Sequence, residues 1–236
     1  MNACAPTQQP ASAGESKASI KSIYPQIFDA ILEQRLAPGT PLTEEALAQI
    51  FGVSRTIIRG VLARLSHQQV ILQRPNHKAQ VAAPDSEQTA QILYARRLAE
   101  TTLISLAAQR AKPAHIRQLR ELIANEREHH EQGQRCAAIR LGGEFHLQLA
   151  NLAGNAPLAH FLNGLLPLTS LIIAQYEEHP CSHCAWQEHA AIVDAIEGHD
   201  AQSALHLMHQ HLDRIEAKLV TRRVAVAGDV LKIFSA

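Results

Sequence analysis

Apolar residues recur at a helical period along most of this chain, and near the front the rhythm is short, interrupted and then replaced by a period of two. Thr43 can cap a short helix whose first turn carries Glu44 and Glu45, where carboxylates suit the positive end of the helix dipole. Leu47 and Ile50 form its apolar side. Gly52 supplies a turn, Ser54 caps a second helix, and Ile58, Val61, Leu62 and Leu65 fall on one inward stripe. The opposite arc carries Arg55, Thr56, Arg59, Gly60 and Ala63, so that two guanidinium groups flank a small-residue surface able to approach a groove floor. Val70-Ile71-Leu72 and Ala79-Gln80-Val81-Ala82 then read as two short strands around Arg74-Pro75-Asn76-His77-Lys78, a turn suited to phosphate or a minor groove. Helix, turn, basic helix and basic hairpin in this order predict a winged head that contacts nucleic acid.

Behind the head the pattern is helical throughout. Ala83-Pro84-Asp85-Ser86 reads as a linker with Ser86 capping the next helix. Breaks at Lys112-Pro113, Gln132-Gly133, Gly154-Asn155, His179-Pro180 and Gly198-His199-Asp200 divide the remainder into six helices, and connections this short predict an antiparallel bundle. Pro167 is expected to kink the fourth. That helix is apolar almost all round from Phe161 to Ile173, which places it at the centre or in a subunit contact. The expected organisation is mainly α: a tail over 1–18, a winged helix-turn-helix over 19–83, an all-α six-helix bundle over 84–227 and a tail over 228–236.

Composition supports two cores, since the chain has 236 residues and 46% hydrophobic content. Its formal charge is zero, with 22 basic and 22 acidic residues, but the distribution is uneven. Ser54 to Gln80 contains five Lys or Arg and no Asp or Glu, concentrating positive potential on the hairpin and the helix before it. Residues 1–18 lack an apolar run suited to a signal peptide, and nowhere do about 18 consecutive apolar residues suggest a membrane span, so a cytoplasmic location is expected. The four cysteines, Cys4, Cys136, Cys181 and Cys184, are spaced too irregularly for a disulfide framework and are expected to be thiols. Cys181 and Cys184 form a short CxxC beside His179, which admits zinc or redox chemistry but has no second ligand pair to complete it.

Twelve of the fourteen histidines lie behind the head. Most fall on polar faces or at helix ends: His206 and His209 beside Asp213, His129 and His130 in a charged run, and His115, His160, His179 and His199 singly. Three differ. His146 is in line with Leu149 and Ala153, His189 with Ile192, Val193 and Ile196, and His211 with Ala204, Leu207, Met208 and Ile215, so each points into a core. Three inward imidazoles either find separate partners or share a divalent ion at about 2.0–2.1 Å per nitrogen. Arg96 and Glu100, four apart on a stripe with Leu93 and Ile104, form a partly buried charge couple; alternatively, Arg96 faces a cavity and receives a carboxylate in bidentate fashion.

Pro38-Gly39 with Leu42, Leu47-Ala48, Gly52 to Thr56, Arg59, Leu62 and Leu65 together resemble the winged helix-turn-helix of the GntR superfamily of bacterial regulators, over about residues 20–83. The resemblance implies DNA contacts by Arg55, Thr56 and Arg59 of the recognition helix and by His77 at the wing tip, and Ser54, Asn76 and Lys78 beside them are read as further DNA contacts from their residue types. Glu45 stands where relatives usually carry Arg, which points to a different operator. The run Ala95 to Glu100, Phe145-His146, Ala153-Gly154-Asn155, Glu188-His189, Ala195-Ile196, Asp200 and His211-Leu212 is similar to the FCD effector domain, over about 85–220, and six helices match the VanR-type subgroup. The similarity implies a divalent metal, zinc or nickel, on His146, His189 and His211, which can hold a carboxylate effector; Arg96 and Glu100 are the candidate effector contacts from the charge-couple reading above. An Asp normally precedes the first of these histidines by four residues. Here that position is Gly142, and Glu144 lies roughly 200° away around the helix.

What this implies is a ligand-responsive repressor that binds a palindromic double-stranded DNA operator as a homodimer, with no membrane partner. Two alternatives remain at this level: a sensor whose effector is the metal itself, and a metal-dependent hydrolase. The second finds no general base at suitable spacing, no Gly-rich phosphate loop and no nucleophile motif.

Overall fold

The structure, a computed structural model, describes residues 19–75, 77–176 and 185–219, and it holds nine α-helices and one small sheet among them. Asn76, both expected tails, the His179-Pro180 break, Cys4, Cys181 and Cys184 lie outside the described residues.

The head begins with α1 (Ile20–Leu32), whose buried face carries Ile23, Ile27, Phe28 and Ile31. β1 (Pro41–Leu42) follows, then α2 (Glu44–Phe51) and α3 (Arg55–His67). Thr43 caps α2 as its residue type suggests, Oγ1 accepting from the amide of Ala46 at 3.3 Å. Gly52 ends the helix in the left-handed conformation at φ 62°, which a side chain would resist. Ser54 stands at the N-cap of α3 but makes no side-chain cap hydrogen bond, and Ile58, Val61, Leu62 and Leu65 are buried as their spacing requires. Gly60 departs from expectation. A Cβ there would lie 2.6 Å from Cδ1 of Ile20, so this glycine lets α1 approach α3 and does not open onto a groove.

The hairpin strands are β2 (Ile71–Leu72) and β3 (Ala79–Val81), each shorter than the apolar pattern suggested. They form an antiparallel sheet in the order β1-β3-β2, with Leu42 opposite Ala79 and Ile71 opposite Val81. β1 escaped sequence reading because two residues carry no periodicity.

Behind the head come α4 (Ser86–Arg110), α5 (Pro113–Glu131), α6 (Arg135–Leu152), α7 (Ala156–Tyr176), α8 (Ala185–Glu197) and α9 (Ala201–Lys218), the six helices expected. Ser86 is not the cap of α4. Asp85 is, its carboxylate accepting from the Gln88 amide at 2.8 Å while the Gln88 side chain accepts from the Asp85 amide, and Ser86 is the first helical residue. α7 continues as one helix through Pro167. By length and composition α7 could cross a membrane, with a mean hydropathy of 1.5 over its best window, but it packs instead against α4, α6 and α1.

The head is fastened to the bundle. Leu168, Leu171, Ile172, Ala174 and Tyr176 of α7 belong to the same apolar cluster as Ile27, Leu36, Leu62 and Val81 of the head. Polar contacts reinforce the seam: Gln34 Nε2 donates to Ala174 O at 2.5 Å, Gln175 Nε2 to Ala82 O at 3.1 Å, Tyr176 Oη to Pro84 O at 2.5 Å, and Arg140 pairs with Asp29 at 3.2 Å. The expected linker is therefore held down, with Pro84 buried.

Candidate metal centre and nucleic-acid interface

α6, α8 and α9 each deliver one histidine to the bundle interior, because His146, His189 and His211 occupy the inward stripe of their helices. All three are at most 3% exposed, and each offers a ring nitrogen within 4.8 Å of the others. Phe145 stacks on His189 at 4.1 Å between centroids and meets His146 edge-on.

A carboxylate stands behind each ring. Glu100 Oε2 lies 2.7 Å from His146 Nδ1, Glu126 Oε2 2.7 Å from His189 Nδ1, and Glu188 Oε2 2.6 Å from His211 Nδ1. An ionised carboxylate can only accept, so at His189 and His211 the contact places the proton on Nδ1 and leaves Nε2 with its lone pair, whereas His146 Nδ1 and Glu100 Oε2 are close but not aligned for a hydrogen bond. His146 Nε2 and His211 Nε2 then face each other at 3.2 Å, and His189 Nε2 is buried with no hydrogen-bond partner. His189 and His211 thus turn Nε2 acceptors inward, and a cation shared with His146 would satisfy them. Burial favours the neutral form of two of the rings: it pushes His146 down to about 4 and His211 down to about 3, the carboxylates opposing it only in part. Burial alone would raise Glu100, but Arg96 and His146 outweigh it and hold its carboxyl below the usual range.

Arg96 does two things at once. Its Nε donates to Glu100 Oε1 at 2.5 Å, as the charge-couple reading requires, while Nη2 is buried without a hydrogen-bond partner and the side chain lines a cavity of about 530 Å³. Glu100 is turned to His146 and does not line that cavity. The cavity includes the three histidines, Glu126, Trp186 with its indole Nε1 unpartnered, and at its other end Arg135 of α6 and Gln34 of the head. Arg135 and Gln34 both donate to the last carbonyls of α7, Arg135 Nη2 reaching Ile173 O at 3.1 Å.

Glu126, Glu188, Trp186 and Gln34 were not found by sequence reasoning. Glu126 could have been: it falls on the stripe of Leu119, Leu122 and Ile123, where a carboxylate needs a reason to be buried. Three other histidines behave as their positions suggest, while His179 and His183 lie outside the described residues. His206 hydrogen-bonds Gln210 on an exposed face, His115 accepts from the Lys112 amide, and His199 reaches Ala108 O.

On the head, Arg55, Thr56 and Arg59 are exposed on one side of α3, and His77 and Lys78 are exposed in the turn between β2 and β3. Arg59 makes a two-point pair with Glu44, Nε to Oε1 at 2.9 Å and Nη2 to Oε2 at 2.8 Å, while Arg55 Nε lies 3.7 Å from the same carboxylate. Glu44 thus does more than complement a helix dipole. It pairs with Arg59 and lies within ion-pair reach of Arg55.

A basic winged helix mounted on an all-helical body defines a DNA-binding regulator. Residues 19–81 match the bacterial regulatory proteins of the gntR family, and residues 91–214 match the FCD domain, a class that can bind metals. The chain belongs to the GntR family, in the branch that carries an FCD domain. Among its relatives is the Uxu operon regulator of Haemophilus influenzae, 27% identical over 194 residues that cover 75% of this chain and 72% of that protein. The transcriptional repressor NanR of Escherichia coli is 26% identical over 199 residues, 74% of each chain. The fold matches that of Escherichia coli McbR/YncC with a TM-score of 0.71 at 18% identity, covering 84% of this chain and 95% of the other. A GntR regulator from Rhodococcus matches with a TM-score of 0.70 at 19% identity, over 84% and 95% of the two chains. Family and relatives are transcriptional regulators, and the hydrolase alternative is set aside.

Proposed function

We propose that this regulator is a cytoplasmic repressor that binds a palindromic operator as a homodimer and responds to a small carboxylate through a divalent metal, zinc or nickel, held by His146, His189 and His211. One observation carries the metal: three buried histidines bring ring nitrogens within 4.8 Å of one another, and Glu126 and Glu188 hold protons on Nδ1 of two of them, so that their Nε2 lone pairs turn inward where a cation would satisfy them. Three neutral nitrogens suit either ion, and a bound metal would supply an open position for an anionic group. The unpartnered donors Arg96 Nη2 and Trp186 Nε1 in the same cavity favour a ligand rich in acceptors, which a carboxylate is.

The response runs through the seam. Gln34 belongs to the head yet lines the cavity, so a ligand filling that space bears on the head directly and favours one head orientation over another. In a dimer the heads present two α3 helices to successive major grooves, about 34–36 Å apart, and a change of orientation alters that spacing. Tyr94 and Leu98 of α4 and Phe161 of α7 are large, exposed apolar residues on two helices that pack together, and they favour a second copy on this face. Arg55, Thr56, Arg59 and Ser54 would meet the operator, with Asn76, His77 and Lys78 at the wing.

Elemental analysis of the purified protein beside His146→Ala and His189→Ala tests the metal: one ion per chain, lost in both variants, is expected, and a metal-free native protein after loading with zinc or nickel would overturn it. The Nε2 convergence also favours a second reading, a sensor whose effector is the ion. Then chelator alone would switch operator binding, whereas the carboxylate reading expects the switch to require the metabolite.

A further inference from the structure

The three carboxylates behind the histidines are not equivalent. Glu100 spends its second oxygen on Arg96 at 2.5 Å, and Glu188 spends its own on Arg214 at 2.9 Å, so two of the three are neutralised by an arginine. Glu126, 3% exposed on α5, has no Lys or Arg in ion-pair reach among the described residues; its one pair is with His189. Among the described residues, Glu126 is therefore the one carboxylate of the three with no arginine beside it, and it is buried.

The position of that charge is informative. Glu126 Oε1 lies beside Gly142, where a Cβ would stand 3.3 Å from Oε1 and 3.4 Å from His189 Cε1. Glycine is among the poorest helix formers, so Gly142 in the middle of α6 needs a local cause. Glu126 provides one, because an Asp rooted at 142 would press a second carboxylate against the first. Residue 142 is the place, four before His146, where the family resemblance puts an acidic ligand.

We propose that Glu126 takes over the role of the missing acid. It does so from behind His189, as a positioning residue: its carboxylate fixes the imidazole through Nδ1, raises the basicity of Nε2, and supplies the single negative charge that an Asp ligand would bring. The metal site is thus relocated in its charge, with the acid moved from the metal's own shell on α6 to the supporting shell on α5. Carboxylates at 126 and 142 are alternatives, and the cavity gains the room that a side chain at 142 would fill. This inference rests on the metal reading above.

The test is zinc titration of the full chain against a chromophoric chelator, with Glu126→Gln, Gly142→Asp and the double variant Gly142→Asp/Glu126→Gln. Gln keeps the size and an oxygen acceptor for Nδ1–H but removes the charge. Zinc affinity is expected to fall roughly 10- to 100-fold in Glu126→Gln with helicity unchanged by circular dichroism, and to recover in the double variant. A purely structural Glu126 would not give that recovery. Equal affinity of Glu126→Gln and the native chain, or a double variant no better than Glu126→Gln, overturns the role of Glu126 while leaving the metal in place. A native chain that binds no zinc overturns the metal reading itself.

Discussion

Two arginine–glutamate pairs in this molecule have nearly the same chemistry and opposite surroundings. Arg59 and Glu44 meet on the open face of the head, with Arg59 about two-thirds exposed at 63%. Arg96 and Glu100 meet inside the bundle, both at 3%. Water screens the first pair and side-chain entropy opposes it, so it can be exchanged for another anion at little cost. The second cannot dissolve without stranding a buried charge. Nature of the residues is therefore a poor guide to role; solvent decides which pair is replaceable and which is structural. A pair that yields to phosphate or a base edge belongs on a solvent face, and one that neutralises a carboxylate beside a buried imidazole belongs in the core.

The largest test of this contrast is Arg96→Ala. It leaves the Glu100 carboxylate buried without its cation and is expected to destabilise the fold by about 3–5 kcal/mol, read from urea unfolding. Arg59→Ala should leave the unfolding midpoint where it was. If both variants unfold alike, burial is not what separates the pairs.

Arg59→Ala should show its effect on DNA instead, weakening operator binding roughly tenfold to a hundredfold in electrophoretic shifts while affinity for random duplex changes much less. Equal losses on both would reassign Arg59 to backbone contacts. Glu44→Gln sharpens the same point from the other side: releasing Arg55 and Arg59 and removing a negative charge from the face should raise affinity for random duplex by roughly a few-fold at low salt. A drop there would mean that Glu44 positions the arginines usefully. The smallest expected change is for Lys78→Ala, which should reduce the slope of log affinity against log salt by about one, with sequence preference retained.

The head was legible because its information is local. A cap, a glycine turn, a four-residue stripe and a charge bias sit within neighbouring residues, so Thr43, Gly52, Ile58 and Leu65 could be placed without tertiary context. Gly60 and Ser86 were misplaced for a related reason: the close approach of Ile20 and the capping by Asp85 each depend on side-chain geometry that spacing alone does not carry. The inward set of His146, His189 and His211 could be read from helical periodicity. Their carboxylates could not, since Glu126 lies 63 residues from the ring it holds and Glu100 46 from its own, and no period links them. The departure at Gly142 was visible in the chain, whereas its neighbour Glu126 needed the fold.

The apolar cluster shared by the head and α7 bears on how this molecule comes apart. Leu171 and Ile172 are fully buried among residues of both halves, and Tyr176 ties the chain between them. The head's core is completed by α7, while the bundle also holds two apolar clusters of its own. Such a protein is expected to unfold in one cooperative step, with hydrogen exchange in α3 and in α7 slowing and quickening together, and a protease acting near Pro84 should find the site only after the whole chain has opened. Regulation, on this view, is exerted on a single folding unit, and the free energy that steadies the sensor also steadies the hand that grips DNA.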